Sequence, residues 1–458
     1  MLPDAFKDKY QTLLGSAAPA FFAALTTGQV KKAFRINSLK ASGAKTLALD
    51  RPVPGLRNAY YGQVHDISSD WVSGTVYSQE PAAMFPAACA QVKPGERVLD
   101  LCAAPGGKST ALAEQLQGQG VLVANEINAK RAKTLRENLE RWGAVNTVVV
   151  NNRPDELAAH FPHYFDCILV DAPCSGEGMF RKDPAAIQYW SPDYVQTCQA
   201  RQKKILASAM AMLAPHGRLI YSTCTFSPEE DEQVVDWLLQ HYDLQLQSVD
   251  LAVASPGRPD WAPSGNPDLK KTVRFWPQAG IGEGQFLAVL KQIKAPASAN
   301  AAAKPVKRKR QRQRSSLNKP EQALIEKTLQ LFNLPAGLNL NVKDWQNRRG
   351  HIGAPVLPPD QLTGLHVLVN GAELGQLKPH RFVPSQQLAQ ILGQKSQTQA
   401  VDLPDAASFK RYLHGETLKV TSSLRGFVLV SYQGEIFSFG KLGNDGILKN
   451  FYPKGLRH

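Results

Sequence analysis

Short apolar runs separated by polar, glycine-containing stretches dominate the middle of the chain. Residues 97–101, 120–125, 147–151, 166–171 and 218–222 are continuous apolar segments of the length expected for strands covered on both faces. Between them, 109–116 and 129–142 place apolar residues at helical spacing. This strand, turn, helix rhythm predicts an α/β core, a mostly parallel sheet with helices on both faces, over 96–293.

The pattern changes on either side. Residues 1–95 begin with helical periodicity, then carry the segment Phe34, Arg35, Ile36, Asn37, Ser38, Leu39, Lys40, and form an expected N-terminal lobe. Residues 294–320 turn to Ala, Pro and Ser with an acid-free basic run at 304–314; they cannot bury a core and are expected to be a linker, disordered when free. Residues 321–396 mix a short helix with strand-like pieces at 365–369 and 375–377, an intermediate α+β domain. In the last domain, 397–458, the stretch 417–458 alternates β-branched and aromatic residues with turn glycines, as in a small β-barrel-like module.

Charge sharpens this picture. A formal net charge of +14 makes a polyanion, nucleic acid first, the partner to expect. No run approaches the roughly 18 apolar residues that cross a bilayer, so neither membrane insertion nor export is indicated. The six cysteines, Cys89, Cys102, Cys167, Cys174, Cys198 and Cys224, form no C-x-x-C pair and no histidine-rich metal spacing. A reduced cytoplasmic enzyme without a metal is the expectation.

Three strand ends carry candidate chemistry. Cys102, Ala103, Ala104, Pro105, Gly106, Gly107 and Lys108 follow the first strand and precede a helix. Small residues there let the backbone approach a ligand, and the helix start offers free N–H groups to a carboxylate. The pattern is neither G-x-G-x-x-G nor a Walker loop, and a glycine turn alone is a routine connection. Glu126, about 20 residues on at the end of the second strand, stands where nucleotide-binding α/β folds place an acid on ribose hydroxyls. Asp171 and Cys174 lie at the end of another strand and Cys224 at the end of a third, so two thiols and a carboxylate are expected on one rim. A free buried cysteine beside a turn is the plainer reading of either thiol taken alone.

That set suits one demanding reaction. Carbon 5 of cytosine accepts a methyl from a sulfonium only after a nucleophile has added at carbon 6; a thiolate adds well, an acid near N3 steadies the ring charge, and a base then removes the carbon 5 proton.

The stretches DLCAAPGGKST, DAPCSGEG and STCTF, in this order over about 34–291, closely resemble the Nol/Nop/Sun family of RNA cytosine-5 methyltransferases, and the tail from about 414 resembles the PUA-type module of its bacterial 16S rRNA branch. The resemblance implies a Rossmann-like core that binds S-adenosylmethionine, with 102–108, Glu126 and Asp171 touching cofactor or target base, Cys224 as nucleophile and Cys174 assisting release. It implies an RNA substrate, 16S rRNA or the small subunit, and a monomeric enzyme. Asn152-Arg153 stands where the family often has an aspartate near the adenine, and Arg153 is the expected contact in its place. Arg35, Asn37, Arg181 and Lys182 are expected on the RNA, with Trp190 and Tyr194 stacking on bases and Arg425, Lys441, Lys449 and Lys454 on the RNA face of the tail. The rivals are a DNA cytosine-5 methyltransferase, which would use Cys174 and have no need of Cys224, a small-molecule methyltransferase, and a non-catalytic ribosome-assembly factor.

Overall fold

The structure, a computed structural model, describes residues 2–294, 317–339 and 341–457. The basic run at 304–314, and with it most of the expected linker, lies outside the described residues.

Core strands and helices alternate as the pattern predicts: β1 (Arg97–Asp100), α1 (Gly107–Leu116), β2 (Val121–Asn125), α2 (Ala129–Trp142), β3 (Thr147–Val150), α3 (Pro154–His160), β4 (Phe165–Asp171), α4 (Pro192–Met212), β5 (Leu213–Thr223), α5 (Glu232–His241), β6 (Leu244–Gln247), β7 (Ser255–Pro256), β8 (Val273–Phe275) and β9 (Gln285–Gln292). The sheet runs β7-β8-β9-β5-β4-β1-β2-β3, with β6 also on β9. β3, β2, β1, β4 and β5 are mutually parallel, and β9 enters antiparallel to β5.

Strand periodicity explains why these runs lack alternation. Leu99, Val123, Val148, Ile168 and Leu219 join one core layer with Leu206 and Met210 of α4 and Val234, Val235 and Leu238 of α5. Their neighbours Val98, Leu122, Val149, Cys167 and Ile220 join the opposite layer with Leu112 and Leu116 of α1 and Leu135 and Leu139 of α2. Both faces are buried, so both must be apolar. Chain order reverses between β1 and β4, and the carboxyl ends on either side of that switch open a crevice.

Two further modules frame this end. Helices Asp4–Leu14 and Ala18–Thr27 bury Phe6, Tyr10 and Phe21 against Phe180, Trp190 and Phe226 of the core. A three-stranded antiparallel sheet follows, with Ala33–Ile36 between Ala59–Tyr61 and Val76–Ser78. At the other end, helix Lys319–Leu329 and a four-stranded sheet (Gln346–Arg348, His351–Ala354, Ala372–Lys378, Arg381–Pro384) lead through helix Gln386–Leu392 to a five-stranded sheet. The last sheet starts at Ala400–Leu403, parallel to Gly426–Tyr432, earlier than the glycine punctuation suggests. The strand-like piece at 365–369 behaves differently from its segment: β10 (Val367–Asn370) pairs antiparallel with β3 and extends the core sheet. No described helix is long and apolar enough to cross a membrane.

Candidate active site

The crevice is built from the turn after β1, the end of β2 and the loops after β4 and β5. Gly106 takes φ 116°, a backbone that L side chains rarely adopt, and so delivers the chain into α1. The turn is braced from behind: Ala103 N–H donates to Asn125 O (2.8 Å), Arg131 donates to Ala104 O (2.7 Å) and Asn138 to Pro105 O (2.8 Å). Beneath it Asp100 is fully buried. Its Oδ2 accepts Ser109 Oγ (2.6 Å), while Oδ1 has no partner among the described residues. Burial pushes this carboxyl up to about 7, against the Ser109 hydrogen bond and the Lys108 charge. Glu126 follows β2 directly, is nearly buried, and accepts Asn128 N–H (2.8 Å) with Arg131 at 3.4 Å.

Asp171 ends β4 with both oxygens engaged. Oδ2 takes the Lys108 ammonium at 2.7 Å; Oδ1 accepts Ser222 Oγ (2.7 Å) and Gln285 Nε2 (3.1 Å). Burial would lower the proton affinity of Lys108, but the charge and hydrogen bond of Asp171 outweigh it and hold the ammonium above its ordinary value. Cys174 and Cys224, half-buried, bring their sulfurs to 3.4 Å. The hydrogen bond to Cys224, then burial, pushes the Cys174 thiol well above its usual range.

The thiol loops are fixed by buried carboxylates behind them. Glu230 Oε2 accepts Ser175 N–H (3.0 Å) and Gln202 Nε2 (2.7 Å), and Ser175 Oγ meets Thr225 Oγ1 at 2.8 Å. Glu177 accepts the Tyr10 hydroxyl, Trp190 Nε1 (2.8 Å), Phe226 N–H (2.9 Å) and Ser227 Oγ (2.7 Å). One side chain thereby ties the first helix to both thiol loops.

Cys102 to Lys108, Glu126, Asp171, Cys174 and Cys224 therefore share one rim. Others do not reach it as expected. Arg35 is buried, donating to Gly107 O and Thr110 Oγ1 (both 2.6 Å) and to Gln79 (3.0 Å), and Asn37 is sealed onto Gly74 O and Trp142 O (both 2.9 Å); both side chains are held inside the protein. Arg181 is likewise interior, paired with Glu283 at 2.7 Å, and Trp190 is packed under the first helix. Arg153 points out and pairs with Asp155, whereas Asn152 is buried, donating to Glu156 (3.0 Å) and accepting His366 N–H (3.0 Å). Lys182, Arg425, Lys441, Lys449 and Lys454 are exposed. Ser222, Gln285, Glu177 and Glu230 were not anticipated; a lone polar residue opening the apolar run of β9 was the available signal for Gln285. No described cluster of His, Cys, Asp or Glu could hold a metal ion.

Comparison with known proteins places this geometry. Residues 87–291 match the model of the 16S rRNA methyltransferase RsmB/F family, 2–81 that of the N-terminal domain of 16S rRNA methyltransferase RsmF, and 400–458 that of the methyltransferase RsmF PUA domain. The ribosomal RNA small subunit methyltransferase F of Vibrio vulnificus is 31% identical over 477 residues, covering 99% of this chain and 97% of the relative. That of Escherichia coli is 34% identical over 313 residues, 63% of this chain and 64% of the relative. A methyltransferase homolog protein from Pyrococcus horikoshii superposes with TM-score 0.56 at 28% identity, over 63% of this chain and 94% of its own. NSun6 from the same organism shares the fold, with TM-score 0.53 at 20% identity, over 64% of this chain and 98% of its own. With a Rossmann-like sheet, a glycine turn at its switch point and relatives matched end to end, the chain belongs to the ribosomal RNA small subunit methyltransferase F family of S-adenosylmethionine-dependent methyltransferases.

Proposed function

We propose that this protein methylates carbon 5 of a cytosine in small-subunit ribosomal RNA, with Cys224 as nucleophile and Cys174 assisting release. The observation that carries the reading is the thiol pair itself, two sulfurs at 3.4 Å on the rim that Asp171 and Lys108 share.

The residues present suit the cofactor. The unpartnered Oδ1 of buried Asp100 is an acceptor waiting for a cationic donor such as the methionine ammonium, the first turn of α1 offers N–H groups to its carboxylate, and Glu126 would take the ribose diol. Bound there, S-adenosylmethionine supplies an electrophilic methyl group.

Cys224, as thiolate, adds to carbon 6 of the cytosine, which makes carbon 5 nucleophilic toward that methyl. Lys108 and Asp171, paired at 2.7 Å on the same rim, would steady the charge that develops on the ring at N3. After methyl transfer Cys174, as a thiolate, takes the carbon 5 proton, and the carbon–sulfur bonding pair returns to Cys224.

Transfer of labelled methyl to unmodified small-subunit RNA and to assembled subunits, with nucleoside mass spectrometry, tests this. Wild type is expected to form 5-methylcytidine, Cys224→Ala to form none, and Cys174→Ala to accumulate a covalent protein–RNA adduct. An active Cys224→Ala beside a dead Cys174→Ala would reverse the two roles and return the DNA-type mechanism. No transfer by wild type to either substrate would sink the reading.

A further inference from the structure

A cavity of about 240 Å³ lies between the N-terminal lobe and the thiol loops, lined by Lys31, Lys32, Gln79, Glu80 and Lys182 among others. None of its three ammonium groups is within ion-pair distance of a described carboxylate. Lys31 rests on the Gly280 carbonyl and Lys32 on the neutral oxygen of Gln63 (3.2 Å), while Lys182 has no partner among the described residues. The one acid in the wall, Glu80, is already satisfied: Oε1 accepts Glu283 N–H (2.8 Å) and Oε2 accepts Ala83 N–H (2.7 Å). Three cations facing a single carboxylate leave the wall of the cavity net positive, which favours an anion.

Its position says which anion. On one side, Gly178 N–H donates to the Cys224 carbonyl (2.8 Å) and Lys182 N–H to Met179 O (2.9 Å), so Lys182 lies one turn along the chain from the backbone contact with Cys224. On the other, Gln79 abuts the cofactor turn, close enough that a Cβ on Gly107 would meet its amide at 3.0 Å. Lying between these two contacts, the cavity is placed for the backbone of a strand that presents one base between cofactor and Cys224. The larger cavity, about 610 Å³, opens at the amino end of the parallel strands, where Arg218 is paired with Glu96 at 2.6 Å.

We propose that Lys31, Lys32 and Lys182 bind a backbone phosphate of the RNA strand beside the target nucleotide. The proposal rests on the RNA-methylation reading above, and it moves RNA contact in the N-terminal lobe from Arg35 and Asn37 to the lysines just before that strand.

The test compares wild type with Lys32→Glu, Lys182→Glu and the double variant, and with Lys93→Glu, an exposed lysine of the far cavity, as control. The probe is a labelled single-stranded fragment of small-subunit RNA, titrated across a salt series. The double variant is expected to bind several-fold more weakly and to flatten the slope of log affinity against log salt by about 0.7 to 1, the value of one lost phosphate contact. KM for RNA should rise with kcat little changed, and S-adenosylmethionine affinity without RNA should equal wild type. An unchanged slope, or an equal effect of Lys93→Glu, would overturn the pocket while leaving the reaction intact. Salt-dependent binding lost in the double variant, in an enzyme that forms no 5-methylcytidine, would instead uphold the pocket and sink the reaction.

Discussion

At Gly178 the backbone passes the Cys224 carbonyl so closely that a Cβ there would lie 2.8 Å from the oxygen, while its own N–H donates to that atom. The Cys224 loop is thus set by a backbone contact that no larger residue allows. Gly178→Ala should push the 176–179 turn off Cys224 and reduce the methyl-transfer rate at least about tenfold, since small displacements of reacting groups are that costly. S-adenosylmethionine affinity should hold, because the glycine turn proposed to bind it is braced from α2 instead; single-turnover rates beside equilibrium cofactor binding separate the two. Cys174, Cys224, Asp171 and Lys108 were legible because strand ends in an open α/β sheet converge whatever surrounds them. Arg35 and Asn37 were misplaced for the converse reason. Alternation puts them on one face of their strand, opposite Phe34 and Ile36, but only tertiary packing reveals that this face meets α1 and the end of α2 rather than solvent.

Among the elements, β10 is the one that sequence pattern places least well. Its apolar run is evident, yet its partner β3 lies more than 200 residues earlier, joined through His366 N–H to Asn152 and Asn151 N–H to His366 O (2.9 Å), and nothing local encodes that pairing. The parallel strands are easier, since burial on both faces leaves an uninterrupted apolar signature. Gly371 ends β10 with φ 77° and with a Cβ position 2.0 Å from Ala354 O. Gly371→Ala should therefore cost more than the roughly 1–3 kcal/mol of left-handed strain alone, and amide exchange over 147–150 should quicken as the strand loosens. Gly434 has the same φ but open space around it, so Gly434→Ala should show the strain alone. Denaturant midpoints of the two variants, measured side by side, separate clash from conformation.

Across the whole molecule, the C-terminal modules are fastened to the N-terminal lobe and to the end of α2 by a buried polar seam. Lys40 donates to Gln390 O (2.7 Å) and Oε1 (3.0 Å), Gln390 Nε2 to Val72 O (2.9 Å), and Gln394 to Gly143 O (2.7 Å). Beside them Glu435, fully buried, faces the Asp70 carboxylate, Ser69 and Lys40. Burial, reinforced by Asp70, raises Glu435 from 4.5 to about 9; burial, with Arg141 adding to it and Glu435 opposing, lowers Lys40 from 10.5 to about 7. The two act on stability in opposite senses. Between about 4.5 and 9 the folded seam keeps the Glu435 proton that the unfolded chain gives up, so its contribution is complete below 4.5 and drains away as pH rises through 9. For Lys40 the unfolded chain holds the extra proton between about 7 and 10.5, so stability rises with pH there. Glu435→Gln deletes the first dependence and, because the charge it removes opposes the lowering of Lys40, leaves the second with the same sign. Relative to wild type the variant should gain stability steadily from about pH 5 to about pH 8, by at most about 1.4 kcal/mol per unit, the linkage limit for one proton. Asp100, Glu140 and Glu230, each raised by burial to about 7, titrate in both proteins and cancel in the difference. Urea midpoints at matched ionic strength measure it, and parallel pH profiles for variant and wild type would mean that Glu435 is already ionised in the folded seam.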